Sequence, residues 1–372
     1  MENVKINGTQ LFCLVVLFEL GTAIVVPLGL VAKQDAWIAV LLGLAGGIVL
    51  FFFYGLLSNR YIGMPLTSYT KQIFGKYIGS FISLFYILFF IYGAARDLRD
   101  GGEFLQTSMY DQTPLFILNV LMLAAIAYVL YKGLNVLART GEIYLILMIL
   151  LGIIGLLLIL FSGIIDIKNL QPILSKGWFP VLTAAYPRMF MFPFGETICF
   201  TMILSNLDKP QFGMKIGISA MVFSGMILSL ITLVEITVLG VDIANRTTFP
   251  LLATISKVNI ANFLQRLDFI VVLALIMGDF FKVAIFFYAA VIGVTDLFHI
   301  KKHRDVVVPI GMIILFSSMM IANNFSQHLA QGEFALKSIF ILFSLVLPFI
   351  LLMTSIIQKR IRSRHSSPDP PV

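Results

Sequence analysis

From Gly141 to Gly163 the chain carries one acidic residue, Glu142, and then an almost unbroken apolar run. A helix needs roughly 20 such residues to cross a bilayer. Runs of this kind recur along all 372 residues. Composition agrees, with 59% hydrophobic and only 12% charged residues, about half the charged share of a soluble domain. A transmembrane β-barrel does not fit, because its strands read as about 10 alternating residues. The chain is therefore a polytopic, all-α membrane protein.

Apolar runs between polar breaks predict ten spans, at about 9–31, 36–58, 78–101, 113–131, 141–163, 181–205, 214–240, 267–296, 306–322 and 335–357. They form a single transmembrane domain over 1–358, and residues 359–372 are a cytoplasmic tail expected to be disordered. Met1 to Gln10 is short, and the first run lacks an Ala-x-Ala site and carries Glu19, so it reads as an uncleaved span. Fifteen Lys and Arg residues fall on the side that holds both termini and seven on the other. Basic loops stay cytoplasmic, so both termini are expected there. The net charge of +7 reports these loops facing anionic lipid and implies no nucleic acid. Two connections on the other side stand out. Asp166 to Pro180 is expected at the interface, and Phe249 to Leu264, within Val241 to Arg266, is expected to hold a short surface helix. Cys13 and Cys199 sit inside apolar runs and read as small buried hydrophobes.

Span one contains Gly21, Thr22, Pro27 and Gly29 beside Glu19, and span six contains Pro187, Pro193 and Gly195 beside Glu196. Glycine and proline interrupt a helix, and irregular backbone at membrane depth is tolerated only where it lines a cavity in the protein. One such break is an ordinary kink. Two breaks five spans apart, each with a glutamate, point to an inverted-repeat transporter fold with its site at the breaks. The expected architecture is five plus five, with repeat one over about 9–163 and repeat two over about 181–357.

Gly21-Thr22-Ala23-Ile24 resembles the Gly-Ser/Thr-Gly-Ile break of the first helix in the amino acid–polyamine–organocation superfamily, with alanine at the third position. Phe192-Pro193-Phe194-Gly195-Glu196 resembles the aromatic-Gly-Glu break of that superfamily's sixth helix, compressed and with a proline added. Over residues 5–360 the chain is similar to one branch, the B subunits of bacterial spore nutrient-germinant receptors. That likeness rests on Gln10-Leu-Phe, Glu19 to Ile24, Arg96-Asp97-Leu98-Arg99-Asp100, Thr113-Pro114, Gly133 to Glu142 and the Phe-Pro-Phe-Gly-Glu break. The resemblance implies a LeuT-like fold with broken helices 1 and 6. It also implies a germinant-sensing subunit in the spore inner membrane, working with A and C subunits and binding a small nutrient, an amino acid above all. A proton-coupled amino acid permease of the same superfamily is the rival reading.

Ionisable groups inside a bilayer are expensive and mark functional sites. Backbone N–H groups at Gly21, Thr22, Ala23 and Ile24 open a half-helix whose partial positive charge suits a carboxylate. By the resemblance, an amino acid's carboxylate lies there, with Phe194 and Gly195 as the opposite wall. Glu196 either meets the ligand's ammonium or stabilises the start of the second half-helix. Glu19 either touches ligand or forms a structural pair. Lys282 lies mid-span one turn after Asp279; the resemblance implies that its ammonium stands in for a coupling ion, and the alternative is a structural pair with Asp279. Arg96, Asp97, Arg99, Asp100 and Glu103 cluster at the outer end of span three; the 96/100 and 99/103 pairs have the i,i+4 spacing of helix ion pairs, and the cluster reads as a solvated structural network or a subunit contact. Arg188, before the sixth break, reads as a snorkelling interfacial arginine ahead of the alternative that it attracts an anionic ligand, and Glu235 has no partner legible in the sequence. No phosphate loop, nucleophile elbow or dinucleotide fingerprint occurs, and His299 and His303 lack an acidic motif, so no enzyme, metal or cofactor is expected.

Overall fold

Backbone polar groups in hydrocarbon must be paired within the chain, so each apolar run becomes a helix. A computed structural model describes residues 5–259 and 267–365. Span one starts as α1 (Gly8–Leu20), capped by the Asn7 side chain. It breaks at Gly21 into a 3-10 turn, Thr22–Ile24. Past Gly29, whose φ of +63° favours glycine, a second 3-10 segment, Leu30–Asp35, leads into α2 (Ala36–Arg60). A short α3 (Leu66–Phe74) follows. Spans three to five are α4 (Lys76–Ser108), α5 (Leu115–Lys132) and α6 (Leu134–Ser162). Span six opens as α7 (Phe179–Ala184), passes through a π turn, Ala185–Met189, and resumes after Pro193 as a 3-10 helix, Phe194–Met202. Then come α8 (Gly213–Leu239), α9 (Val241–Arg246), α10 (Pro250–Ser256), α11 (Asp268–Leu297), α12 (Arg304–Met320) and α13 (Phe325–Lys337). Span ten is α14 (Ile339–Ile341), a π turn, Leu342–Val346, and α15 (Leu347–His365).

Among the described residues, seven helices are long and apolar enough to cross a membrane. The other three expected spans are the two broken ones and α12. The breaks at helices 1 and 6 stand where the glycines and prolines predict. Helix α11 is the centre, packed on α4, α1, α6 and α12.

The structure corrects some boundaries. Helix α4 runs on to Ser108, past the expected end at 101, because its charged end is held by protein partners rather than water. Helices α3 and α13 occupy stretches read as connections; both are polar enough to hide from a search for apolar runs. The surface helix expected within Phe249 to Leu264 begins as α10, but Pro250, Thr254 and Ile255 are buried; residues 260–266 lie outside the described ones. Trp178 and Phe179 are exposed on their connection. Helix α15 continues into the expected tail as far as His365, and residues 366–372 lie outside the described ones. Cys13 and Cys199 are buried and free.

The backbone before α1 pairs with the end of span six. Ile6 donates its N–H to the Asn206 carbonyl (2.9 Å), and Asp208 donates to the Ile6 carbonyl (3.0 Å). This bridge joins the two broken spans at one end of the bundle. A cavity of about 420 Å³ lies at that end, lined among others by Lys5, Asn206, Tyr288, Lys302 and Arg304. An apolar crevice of about 320 Å³ lies beside the first break, between Leu20, Ile24, Gly152, Ile227 and Ile270.

Candidate functional site

Two glycines let the first break lie flat on α11. A methyl placed on Gly278 would sit 3.0 Å from the Gly21 Cα, and one on Gly21 would sit 2.7 Å from the Lys282 Cδ and 2.9 Å from the Phe18 carbonyl oxygen. The close approach carries Lys282 into the space between the breaks, where it is fully buried. Its Nζ lies 2.6 Å from Glu196 Oε2 on the second half of span six and 3.8 Å from Asp97 Oδ1 on α4. The same Asp97 oxygen accepts a hydrogen bond from the Thr22 hydroxyl at 3.2 Å. One ammonium thus links α11, span six, α4 and the first break. The rings of Phe192 and Phe18 flank it, with centroids 4.1 and 5.4 Å from Nζ. An aromatic face attracts a desolvated cation.

Glu19 is also fully buried, at the end of α1, and neither of its carboxylate oxygens has a hydrogen-bond partner among the described residues. Ala23 and Ile24 are buried beside it. The Gly21 N–H bonds to the Leu17 carbonyl (3.0 Å) and is therefore spent within α1. The Val25 and Val26 N–H groups both bond to the Thr22 carbonyl.

Several expectations change at this site. The alternative Lys282–Asp279 pair is not formed; Lys282 turns to Glu196 and Asp97, and Asp279 stays buried without a hydrogen-bond partner among the described residues. Glu196 sits in the first turn of the second half-helix and also pairs with Lys282, so its carboxylate is already matched. The aromatic wall is Phe192 and Phe18. Phe194 packs instead on Gly47 of α2, which has no Cβ to obstruct it. Gly195 faces the Phe190 carbonyl and the Met191 sulfur, at 3.1 and 3.2 Å from where its Cβ would lie. Asp97 is the member that sequence reasoning set apart as part of a solvated cluster. It is only 3% exposed. The legible signal was its position in an apolar span.

The rest of that cluster is likewise built into the protein. Arg99 pairs with Glu103 (2.9 Å), as the i,i+4 spacing predicts, and also donates to the carbonyls of Ser318 and Met319. Arg96 and Asp100 do not pair directly. His328 of α13 comes between them, with Nε2 2.8 Å from Asp100 Oδ1 and 3.3 Å from Arg96 Nη2. Arg188, expected to snorkel, pairs with Glu333 of α13, which also holds Lys337 at 2.7 Å. The Arg188 and Glu333 side chains are 33% and 44% exposed. Water screens such pairs, so Arg188→Ala is expected to lower stability by no more than about 1 kcal/mol. Thermal unfolding of the purified protein checks this; a much larger loss would place Arg188 in a tighter structural role. Glu235 is buried on α8 with no ion-pair partner among the described residues.

Fold and site together define a polytopic helical membrane protein of the broken-helix transporter architecture. The fold resembles that of Mhp1, a nucleobase-cation-symport-1 family transporter solved in a closed conformation with bromovinylhydantoin bound. The TM-score is 0.70, over 94% of this chain and 78% of that one. Identity is 13%, so the likeness concerns the fold alone. Residues 5–326 match the family described as spore germination protein, and the chain belongs to that family. It is 41% identical to spore germination protein KB of Bacillus subtilis (strain 168) over 365 residues, 98% of each chain. Spore germination protein A2 of the same organism is 24% identical over 370 residues, 97% of this chain and 98% of the relative. The family expected from the Glu19 to Ile24, Arg96 to Asp100 and Phe192 to Glu196 stretches is the family found.

Proposed function

We propose that this chain is the membrane subunit of a spore nutrient-germinant receptor, and that it binds a small nutrient, an amino acid, between its two broken helices. The observation that carries this reading is the buried chain Glu196–Lys282–Asp97–Thr22, which joins both breaks to α4 and α11. A ligand that alters any of these contacts biases the relative position of four elements, and bias of this kind is all that a receptor requires. Glu19 is the residue for the ligand's ammonium, because Glu196 is already paired with Lys282 and both buried Glu19 oxygens lack a hydrogen-bond partner among the described residues. The N–H groups of the break at Thr22 to Ile24, with Ala23 buried among them, are the site for its carboxylate. Gly21 contributes space rather than a donor.

The site is closed here: Glu19, Thr22, Lys282 and Phe194 are all fully buried. Binding therefore goes with opening. A and C subunits are the proposed partners in the complex, the spore inner membrane its location, and both termini cytoplasmic by the Lys and Arg bias. The domain proposed is 1–358, with repeats over about 9–163 and 181–357.

The test uses spores that carry this receptor as their only nutrient sensor. Single amino acids and sugars are screened with and without Glu19→Gln. An amino acid is expected to trigger germination, and Glu19→Gln is expected to raise the half-maximal concentration by at least about tenfold, the loss of one charge-assisted hydrogen bond. A response unchanged by Glu19→Gln removes this carboxylate from the site. A response to an uncharged sugar alone overturns the amino acid assignment. Concentrative uptake by the isolated chain in proteoliposomes would favour the permease, to which the transporter fold lends itself.

A further inference from the structure

The cavity of about 420 Å³ at the clamped end of the bundle has the size of a small-molecule site. Lys5, Lys301, Lys302 and Arg304 line it and are exposed. Lys5 comes from the backbone before α1, the others from the turn between α11 and α12 and its first residue. Lys5, Lys301 and Lys302 form no ion pair among the described residues. Arg304 lies against the Tyr131 ring, 5.4 Å from its centroid, which fixes the guanidinium at the rim. Asp305 is the carboxylate among the lining residues. Two other carboxylates of this end are engaged elsewhere. Asp296 holds Lys71 at 3.0 Å and accepts from the Thr67 and Ser68 hydroxyls, and Asp208 accepts from the Lys209 N–H at 2.7 Å.

The cavity also has a buried polar wall. Tyr288 of α11 lines it, is 5% exposed, and makes no hydrogen bond through its hydroxyl among the described residues. A buried tyrosine hydroxyl ordinarily finds a partner, so this one is a donor awaiting an acceptor. Four positive side chains around a cavity with one carboxylate concentrate anions there. A single carboxylate ligand would leave most of that charge unmatched. A phosphate monoester brings about −1.5 to −2 charges and three acceptor oxygens, and lysine and arginine are the side chains that bind phosphate. We propose that this cavity is a binding site for a phosphate group, supplied by a soluble phosphate monoester or by a lipid headgroup. The phosphate lies between Lys5 and the Lys301–Arg304 turn, with the Tyr288 hydroxyl donating to it. Lys5 directly precedes Ile6, whose backbone is bonded to Asn206 and Asp208. The occupied site therefore ties both broken spans to the turn after α11. This inference does not depend on which nutrient, if any, the breaks bind.

The test uses the full chain in phosphatidylcholine nanodiscs, as wild type, Lys301→Gln/Lys302→Gln and Tyr288→Phe. In one arm, thermal unfolding is followed as glycerol 3-phosphate is added, against sodium chloride at matched ionic strength. In the other, phosphatidic acid replaces part of the phosphatidylcholine. Saturable stabilisation is expected in one arm; the first identifies a soluble phosphate, the second a headgroup. The half-saturating concentration is expected to rise by at least about tenfold in each variant, the loss of a charge-assisted hydrogen bond. No saturable stabilisation in either arm overturns the proposal. So does stabilisation that both variants leave unchanged. Weakening by the lysine variant alone, with Tyr288→Phe like wild type, assigns a loose surface attraction and overturns the cavity site as well.

Discussion

Replacing Lys282 with methionine is expected to destabilise the folded protein by about 3–5 kcal/mol, the usual loss when one partner of a buried ion pair is removed. The side chain is fully buried and its ammonium lies 2.6 Å from Glu196. Methionine fills the volume but leaves Glu196 without its counter-ion, and Asp97 with only the Thr22 hydroxyl on its Oδ1. The double variant Lys282→Met/Glu196→Gln removes the stranded anion along with its partner. It is expected to recover a large part of the loss, because charge pairs in contact couple strongly. Thermal unfolding of the three proteins in the same lipid decides the matter. If the single and double variants are equally unstable, the pair is not the source of the effect. The contrast with Arg188→Ala is one of solvent: the same chemistry holds little energy where water reaches it.

The second large effect is expected at Gly21. Gly21→Val should abolish the nutrient response of spores that depend on this receptor, with the half-maximal concentration rising by at least about 100-fold, or about 2.7 kcal/mol. A valine Cβ would meet the Lys282 side chain at 2.7 Å and the Phe18 carbonyl at 2.9 Å. Lysine is flexible and gives way, but only by leaving the position that holds Glu196. Overpacking of this kind strains a filled core by about 1–3 kcal/mol. The protein should still be detected in spore membranes by immunoblot. A normal response at normal abundance would show that the close approach of the break and α11 is dispensable.

The spans and both breaks were legible because lipid imposes one rule on every residue of a run, and Gly21, Pro193 and Gly195 break that rule openly. Lys282 was legible for the same reason: a charge in the middle of an apolar helix announces itself. Its partner was not. Sequence spacing reports neighbours along one helix, so Asp279 was the visible candidate. The choice of Asp97 and Glu196 depends on how α4 and span six are rotated about α11, which no local pattern encodes. Phe194 and Phe192 differ by two positions in an irregular turn, where neither helical nor strand periodicity says which ring faces inward. His328 was hidden in a polar stretch without hydrophobic periodicity, and its role appears only once α13 lies against Arg96 and Asp100.

The short bridge between Ile6 and the residues around Leu207 has a mechanical consequence. Two main-chain hydrogen bonds clamp the free end of one interrupted helix to the far end of the other. Each interrupted helix alone has a flexible joint at its middle and an end able to swing. Clamped together, those ends share a single arc. A displacement started at either joint therefore reaches the Lys-rich rim as the travel of one lever, and a second, independent motion there first requires the clamp to open.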